Sequence, residues 1–549
     1  MAYSKKHIDQ NAHYKYNLSI AKTTTSKNTN TKKEDHYMKK RKLAALLTTL
    51  ALMIGLLAGC GGGGGNETQN PGGGDNPGGG DKEGITNIVV EMVNFGYVDP
   101  DLQKVEDEIN KISEEKIGVH VTFLTVPIGE MATKLGLMVG GGEQIDMVNT
   151  GLLTSPAILA SQGLLQPMTE YINNSEILKS KAGDLLKAGT INGEIYAYPG
   201  TFYSGQGNAF IYDKDMAAEY NINMPERISS QDELTAIFKQ VKDSGMPCYA
   251  ISLGDGVNAE RDFGVLWEGL GDSTYGSYGV IIDPFNGTEI VNWYESPEYE
   301  HQIRLHKEWM DAGYAVPDSI SNAIANHDGM AQGACFGFVT PYSTGREEGY
   351  FTNTTHRNCG AVIIGDAQMN TFGVLETSWG IASSSKNPEA VIKFAELIYS
   401  DEALGTLYNF GIEGVHYART EGSRVITYPE GVDSTNIGYG SFIPSLGDMA
   451  ELPVLAPRTE EFYDMYDAFS LKEAKCSKYL GYSFDPTNVS AEVTAVQATI
   501  AKYAPSLSVG VADIDDLLPK FRKELKDSGI DTIIEENKTQ LAAWLAEHN

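Results

Sequence analysis

The sequence has little cysteine and lacks the common motifs for binding a metal or a nucleotide. Five cysteines occur in 549 residues, and none are spaced Cys-x-x-Cys, which argues against a zinc ribbon or a thioredoxin-type site. The dipeptide Gly-Lys does not occur, which excludes a P-loop, and neither Gly-x-Ser-x-Gly nor His-Glu-x-x-His is found. We therefore expect no cofactor, no metal site and no enzymatic activity.

Positive charge is scarce outside the first part of the chain. Residues 1–59 hold 11 Lys/Arg against 3 Asp/Glu, which leaves 31 against 70 in the remainder. A body this acidic repels phosphate backbones, so nucleic-acid binding is not expected. The chain is also longer than one hydrophobic core usually supports, which favours at least two lobes.

The N-terminal region has the pattern of a secretory signal. A basic stretch, Met38–Lys42, precedes an apolar run, Leu43–Leu57, that is shorter than the roughly 20 residues of a membrane-spanning helix. The run ends in Leu-Ala-Gly-Cys, which resembles a bacterial lipobox and implies a diacylglycerol on Cys60. We interpret residues 38–59 as a lipoprotein signal peptide and residues 1–37 as sequence upstream of the true start.

A glycine-rich segment follows the lipobox cysteine. Residues 61–65 are all glycine, and Asn-Pro-Gly-Gly-Gly-Asp occurs twice, at 70–75 and 76–81. Such a composition cannot pack a core, so residues 60–84 are predicted to be a flexible tether. Anchor and tether together predict a protein held on the extracellular face of a bacterial cell membrane, most simply that of a Gram-positive cell.

The body of the chain alternates strand and helix patterns. A buried strand is predicted at 88–93, then a helix capped by Asp99 and ended by Gly118, then a strand at 119–123. This βαβ unit favours a parallel sheet, and the pattern restarts near residue 209. Further helices are predicted to begin at Ser-Pro or Asn-Pro steps, at 155–156, 296–297 and 387–388. The C-terminal part of the chain, from about 490 onwards, is predicted to be mostly helical.

Seven stretches along the body have a recognisable order and spacing. They are EINKISEEKIG (108–118), GEQIDM (142–147), GLLQPMTEY (163–171), INGEIYAYP (191–199), GIASSSKNPEAVIKF (380–394), YNFGIEGVHY (408–417) and FDP (484–486). Together they resemble the extracellular solute-binding proteins of bacterial ABC importers, which have the type II periplasmic-binding fold. The similarity covers essentially all of residues 85–549 and is nearest to the sugar-binding lipoprotein branch.

The resemblance implies an α/β protein with two lobes that close over a ligand and a helical C-terminal region. Lobe 1 would comprise residues 85–202 and 376–435, and lobe 2 residues 203–375 and 436–549. It also implies a monomer that delivers a carbohydrate, most simply an oligosaccharide, to the permease subunits of an ABC transporter.

A sugar site needs aromatic faces for the C–H faces of pyranose rings and polar groups for the hydroxyls. The chain has 29 Tyr and 5 Trp. The candidate ligand contacts are residues that follow predicted strands or lie near the expected lobe crossings. They are Phe95, Tyr97, Tyr203, Trp267, Tyr342, Glu376, Trp379 and Glu413.

Three points stay open at this level. A surface-anchored glycoside-processing enzyme is an alternative, because paired carboxylates can come from distant positions. Peptides or acidic sugars are alternative ligands for the same fold. The cysteines other than Cys60 could form one disulfide, two or none: Cys248, Cys335, Cys359 and Cys476.

Overall fold

A computed structural model of the chain describes residues 84–94, 99–152, 154–200, 205–253, 267–271, 276–317, 326–343, 346–434, 436–440, 442–443 and 446–548. The predicted signal peptide, Cys60 and nearly all of the tether lie outside these residues. Among the described residues, no helix combines the length and the apolar composition needed to cross a membrane. Residues 80–549 pack as one unit.

The strands are numbered in chain order over the described residues. They are β1 (Thr86–Asn94), β2 (Val119–Pro127), β3 (Met147–Asn149), β4 (Leu165–Gln166), β5 (Thr190–Ile191), β6 (Glu194–Ile195), β7 (Gln206–Asp213), β8 (Arg227–Ile228), β9 (Tyr249–Ser252), β10 (Trp267–Glu268), β11 (Ile281–Ile282), β12 (Cys335–Tyr342), β13 (Cys359–Met369), β14 (Trp379–Ala382), β15 (Ala418–Arg419), β16 (Val425–Thr427), β17 (Phe442–Ile443), β18 (Val454–Leu455) and β19 (Lys475–Cys476).

The α-helices are numbered in the same way. They are α1 (Leu102–Ile117), α2 (Met131–Gly141), α3 (Pro156–Ser161), α4 (Thr169–Asn174), α5 (Glu176–Ala182), α6 (Lys214–Glu219), α7 (Asp232–Asp243), α8 (Pro297–Asp311), α9 (Asn326–Ala331), α10 (Arg346–Thr355), α11 (Thr371–Leu375), α12 (Pro388–Ser400), α13 (Glu402–Phe410), α14 (Phe462–Tyr466), α15 (Ser490–Ser508), α16 (Ile514–Asp527) and α17 (Ile530–His548).

The first sheet has the order β17-β1-β3-β14-β4, with β2 paired to β1. Strands β2 and β3 run parallel to β1, which is the βαβ arrangement that the sequence predicts. β14, 230 residues further along the chain, enters antiparallel to β3, and β17 pairs antiparallel with the end of β1. Helices α1, α12 and α13 pack on this sheet, around a core that includes Val105, Ile109 and Phe394.

The second sheet has the order β19-β13-β7-β12-β9, with β8 paired to β13. Its central strand β7 is antiparallel to both β12 and β13. The outer strands are parallel to their neighbours: β9 to β12, and β8 and β19 to β13. The chain passes from the first sheet to the second between β6 and β7, returns between β13 and β14, and passes again between β17 and β19.

A third core joins the C-terminal helices to residues 267–303. We call this part the helical region: it comprises β10, β11, α8, α15, α16 and α17. Its core contains Trp293, Phe484 and Phe521, all buried. The predicted helical C-terminus is confirmed, and its apolar stripe packs against α8 rather than against either sheet.

Local sequence signals predict several element ends correctly. Ser155 and Ser296 each accept a hydrogen bond from the backbone N–H three residues later, and Pro follows each of them. Gly118 ends α1 in the left-handed conformation, with φ of 66°. The predicted cap at Asp99 is wrong, because its carboxylate instead accepts the N–H of Gly440 at 3.0 Å.

The predicted boundary between the lobes at 435/436 does not coincide with the end of the first sheet. β17 belongs to the first sheet, and Leu446 lies in the first core, although the boundary at 435/436 assigns both to lobe 2. The four cysteines named above are free thiols.

Candidate ligand-binding cleft

The first sheet ends in a cluster of amide and hydroxyl side chains. Asn149, the last residue of β3, accepts the N–H groups of Gly151 and Leu152 through Oδ1 at 3.3 and 3.2 Å. Its Nδ2 donates to the carbonyl of Ser378 at 3.2 Å, and the hydroxyls of Thr150 and Ser378 lie 2.7 Å apart. These bonds hold the turn after β3 against the start of β14 and place polar groups at the end of the sheet.

A buried carboxyl lies below this cluster. Glu91 on β1 is 3% exposed, and its Oε2 accepts the backbone N–H of Asn149 at 2.9 Å. Burial raises the pKa of Glu91 to about 7, against the smaller opposing effects of that N–H and of Lys134. The group therefore exchanges its proton near neutral pH, directly beneath the polar end of the sheet.

The second sheet ends in an aromatic pair. Tyr342, the last residue of β12, donates through its hydroxyl to Oε1 of Glu348 at 2.7 Å. Phe469 packs edge-on against it with ring centroids 5.5 Å apart, and a Cβ at Gly207 would lie 3.1 Å from the Phe469 ring. Phe469 is carried by a π-helix, Asp467–Glu473, a rare conformation often found at functional sites.

Two polar atoms at this end of β12 have no hydrogen-bond partner among the described residues. They are Oγ of Ser343 and Oε2 of Glu348, both shielded from solvent in this conformation. The backbone N–H of Ser343 is satisfied, because it donates to Oε2 of Glu347 at 2.7 Å. Buried polar atoms usually have partners, so the end of β12 has unused capacity to donate and accept hydrogen bonds.

The two sheet regions meet beside the return crossing between β13 and β14. Thr371 on α11 donates through Oγ1 to the carbonyl of Tyr479 at 3.2 Å and accepts the N–H of Gly481 at 2.9 Å. A Cβ on Gly481, whose φ is 101°, would lie 2.8 Å from the carbonyl oxygen of Lys187. Apolar side chains from both regions pack together here: Ala188, Ala197, Val374, Leu375 and Leu480.

Hydroxyl, amide and carboxyl side chains therefore lie at the ends of both sheets, and Glu347 and Glu348 make the second end acidic. In this conformation most of them are buried, among them Asn149, Ser378 and Ser343. The described residues contain no cluster of His, Cys, Asp and Glu side chains that could hold a metal ion.

Three of the predicted contact residues are buried in cores. Trp379 is 0% exposed and stacks on Tyr198 with centroids 5.2 Å apart, and Trp267 is 7% exposed and stacks on Trp293 at 6.0 Å. Tyr342 is 3% exposed. In this conformation none of the three offers a ring face to a ligand, and their role as ligand contacts stays a prediction.

The other predicted contacts differ in their surroundings. Glu376 is half-buried in the return crossing, two residues before Ser378. Glu413 is exposed, with its Oε2 3.6 Å from Nε of Arg419. Phe95, Tyr97 and Tyr203 lie outside the described residues, so they too stay predictions.

The polar residues at the sheet ends were not predicted. Asn149, Ser343 and Glu348 follow or end buried strands, and that position was the available signal in the sequence. The predicted sugar contacts were mainly aromatic residues, because a stacking face is the more specific requirement of a sugar site.

Two α/β sheets joined by crossings, each ending in polar side chains, are the architecture that the sequence comparison assigns to a solute-binding family. The sequence model of the family described as "Bacterial extracellular solute-binding protein" matches residues 100–404, and the chain belongs to this family. A second model, "Domain of unknown function (DUF3502)", matches residues 478–546, which cover most of the helical region's C-terminal part.

Known proteins resemble the chain over most of its length. The "Carbohydrate ABC transporter substrate-binding protein" of Streptococcus pneumoniae is 23% identical over 456 residues, covering 80% of this chain and 87% of that protein. The crystal structure of the N-glycan transport solute binding protein from the same species has a TM-score of 0.72 at 21% identity, covering 84% and 100%. Its complex with Man5GlcNAc has a TM-score of 0.67 at 21% identity, covering 84% and 99%. The predicted type II fold is thereby confirmed.

Proposed function

We propose that the protein captures an oligosaccharide between two lobes and delivers it to the permease subunits of an ABC transporter. The observation that carries the carbohydrate assignment is the relative that matches 80% of this chain, which is named a carbohydrate transporter's substrate-binding protein. The solved neighbour in complex with Man5GlcNAc supports an oligosaccharide rather than a single sugar.

The chemistry at the sheet ends is consistent with a neutral sugar. Hydroxyl groups both donate and accept, so they match the unused Oγ of Ser343 and Oε2 of Glu348. An anionic sugar would meet the carboxylates of Glu347 and Glu348, which disfavours an acidic ligand. Because both unused atoms are shielded from solvent, a ligand would reach them in a more open arrangement of the lobes.

The lobe division is part of the proposal. We place residues 85–202 and 376–455 in lobe 1, and residues 203–375 and 456–549 in lobe 2. The pairing of β17 with β1, and the packing of Leu452 near Gly405 of α13, support moving the last boundary from 435/436 to the end of β18. Phe95, Tyr97, Tyr203, Glu376 and Glu413 remain proposed contacts, as do the buried Trp267, Tyr342 and Trp379.

We also propose a lipid anchor at Cys60 on the extracellular face of the membrane, and a monomeric protein. The support is the signal pattern of residues 38–59 and the glycine-rich tether after it. Cells expressing the protein should incorporate labelled palmitate into it. The Cys60→Ser variant should take up no label and should leave the membrane fraction. Equal labelling of both proteins would contradict the anchor.

Binding is tested by titration calorimetry on the full-length protein in detergent. The panel contains Man5GlcNAc, malto-, cello- and manno-oligosaccharides, uronic-acid oligosaccharides and short peptides. A neutral oligosaccharide should bind, and Glu348→Gln should weaken its binding about tenfold, because a charged acceptor is replaced by a neutral one. The matched control is Glu219→Gln on α6, exposed at the opposite end of the second sheet. Binding of peptides alone would contradict the carbohydrate assignment.

The proposal includes that the bound sugar is released unchanged. Ligand recovered after prolonged incubation should elute from a sizing column in its original position. Shorter products that disappear when the protein is omitted would favour the glycoside-processing alternative.

A further inference from the structure

The turn that follows α13 is closed by the ring of His416. We call residues 411–417 the His416 turn. The N–H of Ile412 donates to Nδ1 of His416 at 2.8 Å, and the N–H of His416 donates to the carbonyl of Ile412 at 2.9 Å. The ring packs directly on Gly411, because a Cβ there would lie 2.4 Å from Nδ1. His416 is 1% exposed, so its polar atoms depend on these partners rather than on solvent.

The contacts of His416 fix the protonation state of its ring. Nδ1 accepts a hydrogen bond from a backbone N–H, so it carries no proton, and the neutral ring has its proton on Nε2. Nε2 lies 3.3 Å from Oδ2 of Asp101, the residue before α1, and donates to it. Burial lowers the pKa of His416, against the smaller opposing effect of the Asp101 carboxylate. His416 is therefore neutral at pH 7 and forms hydrogen bonds through both nitrogens.

Ionisable groups face His416 from two neighbouring elements. Asp101 and Lys104 lie at the start of α1, where their side chains form an ion pair at 2.6 Å. Tyr439, in the segment before β17, packs on the ring with centroids 5.8 Å apart, and burial raises the pKa of its hydroxyl. Lys104 disfavours a protonated ring, and Tyr439 stays neutral where histidine titrates. The carboxylate of Asp101 is therefore the neighbour that stabilises a protonated His416.

The start of α1 is in turn tied to the end of β1. The N–H of Asp101 donates to the carbonyl of Gly438 at 3.0 Å, and the N–H of Gly440 donates to Oδ1 of Asp99 at 3.0 Å. Two residues after Gly440, β17 begins and pairs with the last two residues of β1. His416 therefore joins the turn after α13 to a hydrogen-bond network that reaches the end of the first sheet.

We infer that His416 is a proton-sensitive link between the His416 turn and α1. The neutral ring bonds Ile412 on one side and Asp101 on the other. Protonation puts a hydrogen on Nδ1, so the N–H of Ile412 faces a second donor and loses its acceptor, while Nε2 keeps its bond to Asp101. The turn is closed at neutral pH and opens at Ile412 as the pH falls below about 6.5, the pKa of histidine in water.

The link has a consequence for ligand binding. Glu413, one of the proposed ligand contacts, follows Ile412 in the His416 turn and is exposed. A turn that has lost its bond at Ile412 holds Glu413 less firmly, so the affinity for ligand falls with the pH. This consequence rests on the proposed function, whereas the link itself does not.

The link is tested on the full-length protein without ligand, between about pH 7.5 and about pH 5. NMR of the protein with 15N-labelled histidine, whose ten rings include His416, should show His416 protonated on Nε2 alone at the upper pH. As this ring takes up its second proton, the amide of Ile412 should lose about tenfold in protection from hydrogen exchange. Exchange rates are corrected for the intrinsic pH dependence of amide exchange.

Three variants identify the ring that is responsible. His416→Asn keeps an acceptor near the position of Nδ1 and cannot take up a proton in this range, so the loss at Ile412 should disappear. Asp101→Asn removes the carboxylate that favours the protonated ring, so the loss should move to lower pH by about one unit. His120→Asn is the matched control: His120 on β2 bonds to the side chain of Glu114, and its loss should leave Ile412 unchanged.

The outcomes separate the link from the proposed function. A His416 ring protonated on Nδ1 at the upper pH, or a loss at Ile412 that persists in His416→Asn, overturns the link. Titration of a neutral oligosaccharide over the same pH range should show an affinity that falls about threefold more in the wild-type protein than in His416→Asn. Equal falls overturn the consequence for Glu413. If no oligosaccharide binds at any pH, the proposed function fails, and exchange at Ile412 still decides the link.

Discussion

The edge of the first sheet and the helical region differ in whether several of their buried polar side chains have hydrogen-bond partners. In the first, Asn110 on α1 donates to the carbonyl of Val121 at 2.8 Å and accepts its N–H at 2.7 Å. Glu106 accepts the N–H of Phe123 at 2.7 Å. β2 pairs only with β1 among the described strands, so these side chains satisfy the open edge of β2.

The helical region contains buried polar groups without such partners. Gln302 on α8 is 0% exposed, and neither its Oε1 nor its Nε2 has a hydrogen-bond partner among the described residues. The same holds for Nε1 of Trp267, Oε2 of Glu268 and Nδ2 of Asn292. Asn537 in the same region does have partners, since its Nδ2 donates to the carbonyl of Tyr278 at 2.8 Å. A buried polar side chain therefore stabilises where it reaches such a partner and destabilises where it does not.

The largest expected effect is that of Asn110→Ala. The substitution removes two hydrogen bonds and leaves the buried N–H and C=O of Val121 unpaired, which lowers the free energy of unfolding by about 3 to 4 kcal/mol. Chemical denaturation measures the total loss. Hydrogen exchange should show it at the amides of residues 119–123. Asn174→Ala, at an exposed position, serves as the control. A loss of hydrogen-exchange protection spread evenly over the helical region would contradict the comparison.

The next effect is a pH dependence carried by two buried carboxyls, one in each region. Burial raises the pKa of Glu91 and of Glu268 to about 7, from 4.5 for each group in water. Between these values the folded chain keeps a proton that the unfolded chain has lost, so stability falls as the pH rises through this window. Above it, each ionised carboxyl lowers stability by about 3 kcal/mol.

Glutamine variants test this pH dependence region by region. At about pH 8, Glu91→Gln should stabilise the first sheet region and Glu268→Gln the helical region, and both gains should disappear near pH 4.5. Hydrogen exchange, corrected for the intrinsic pH dependence of amide exchange, locates each gain. A gain of the same size at both pH values would mean that the charge is not its cause.

The smallest effect is a gain from removing an unpaired amide. Gln302→Leu should raise the free energy of unfolding by about 1 to 2 kcal/mol, because it removes two unpaired polar atoms at nearly constant volume. Gln540 is the matched control in the same region, since it donates to and accepts from the backbone of Asp485, both at 2.9 Å. Gln540→Leu should destabilise. If both variants destabilise, Gln302 has a partner and the contrast between the regions is weaker.

Much of the local structure could be predicted from the sequence. The strand at 88–93, the end of α1 at Gly118 and the helix starts at Ser155 and Ser296 each depend on residues within a few positions. Family membership could also be predicted, because short stretches in a conserved order carried the resemblance. The predicted ligand contacts stay predictions, but the burial of Trp267, Tyr342 and Trp379 in cores could not be foreseen from the sequence.

Such burial could not be predicted because it depends on distant parts of the chain. Nothing near Trp379 indicates that Tyr198, 181 residues earlier, covers its ring. An aromatic residue beside a crossing can lie in the core or line a cleft, and the sequence pattern is the same for both.

The sequence by itself indicated the alternation of strands and helices and several of their ends, because these follow from local periodicity and caps, and its resemblance to a known family implied the class of fold. Only the tertiary structure decided that Asp99 bonds to Gly440, that β17 joins the first sheet and that Asn353 on α10 donates to the carbonyl of Ala456. Each of these contacts joins residues roughly 100 to 350 positions apart, where the chain's compact packing, and not its local propensity, selects the partner.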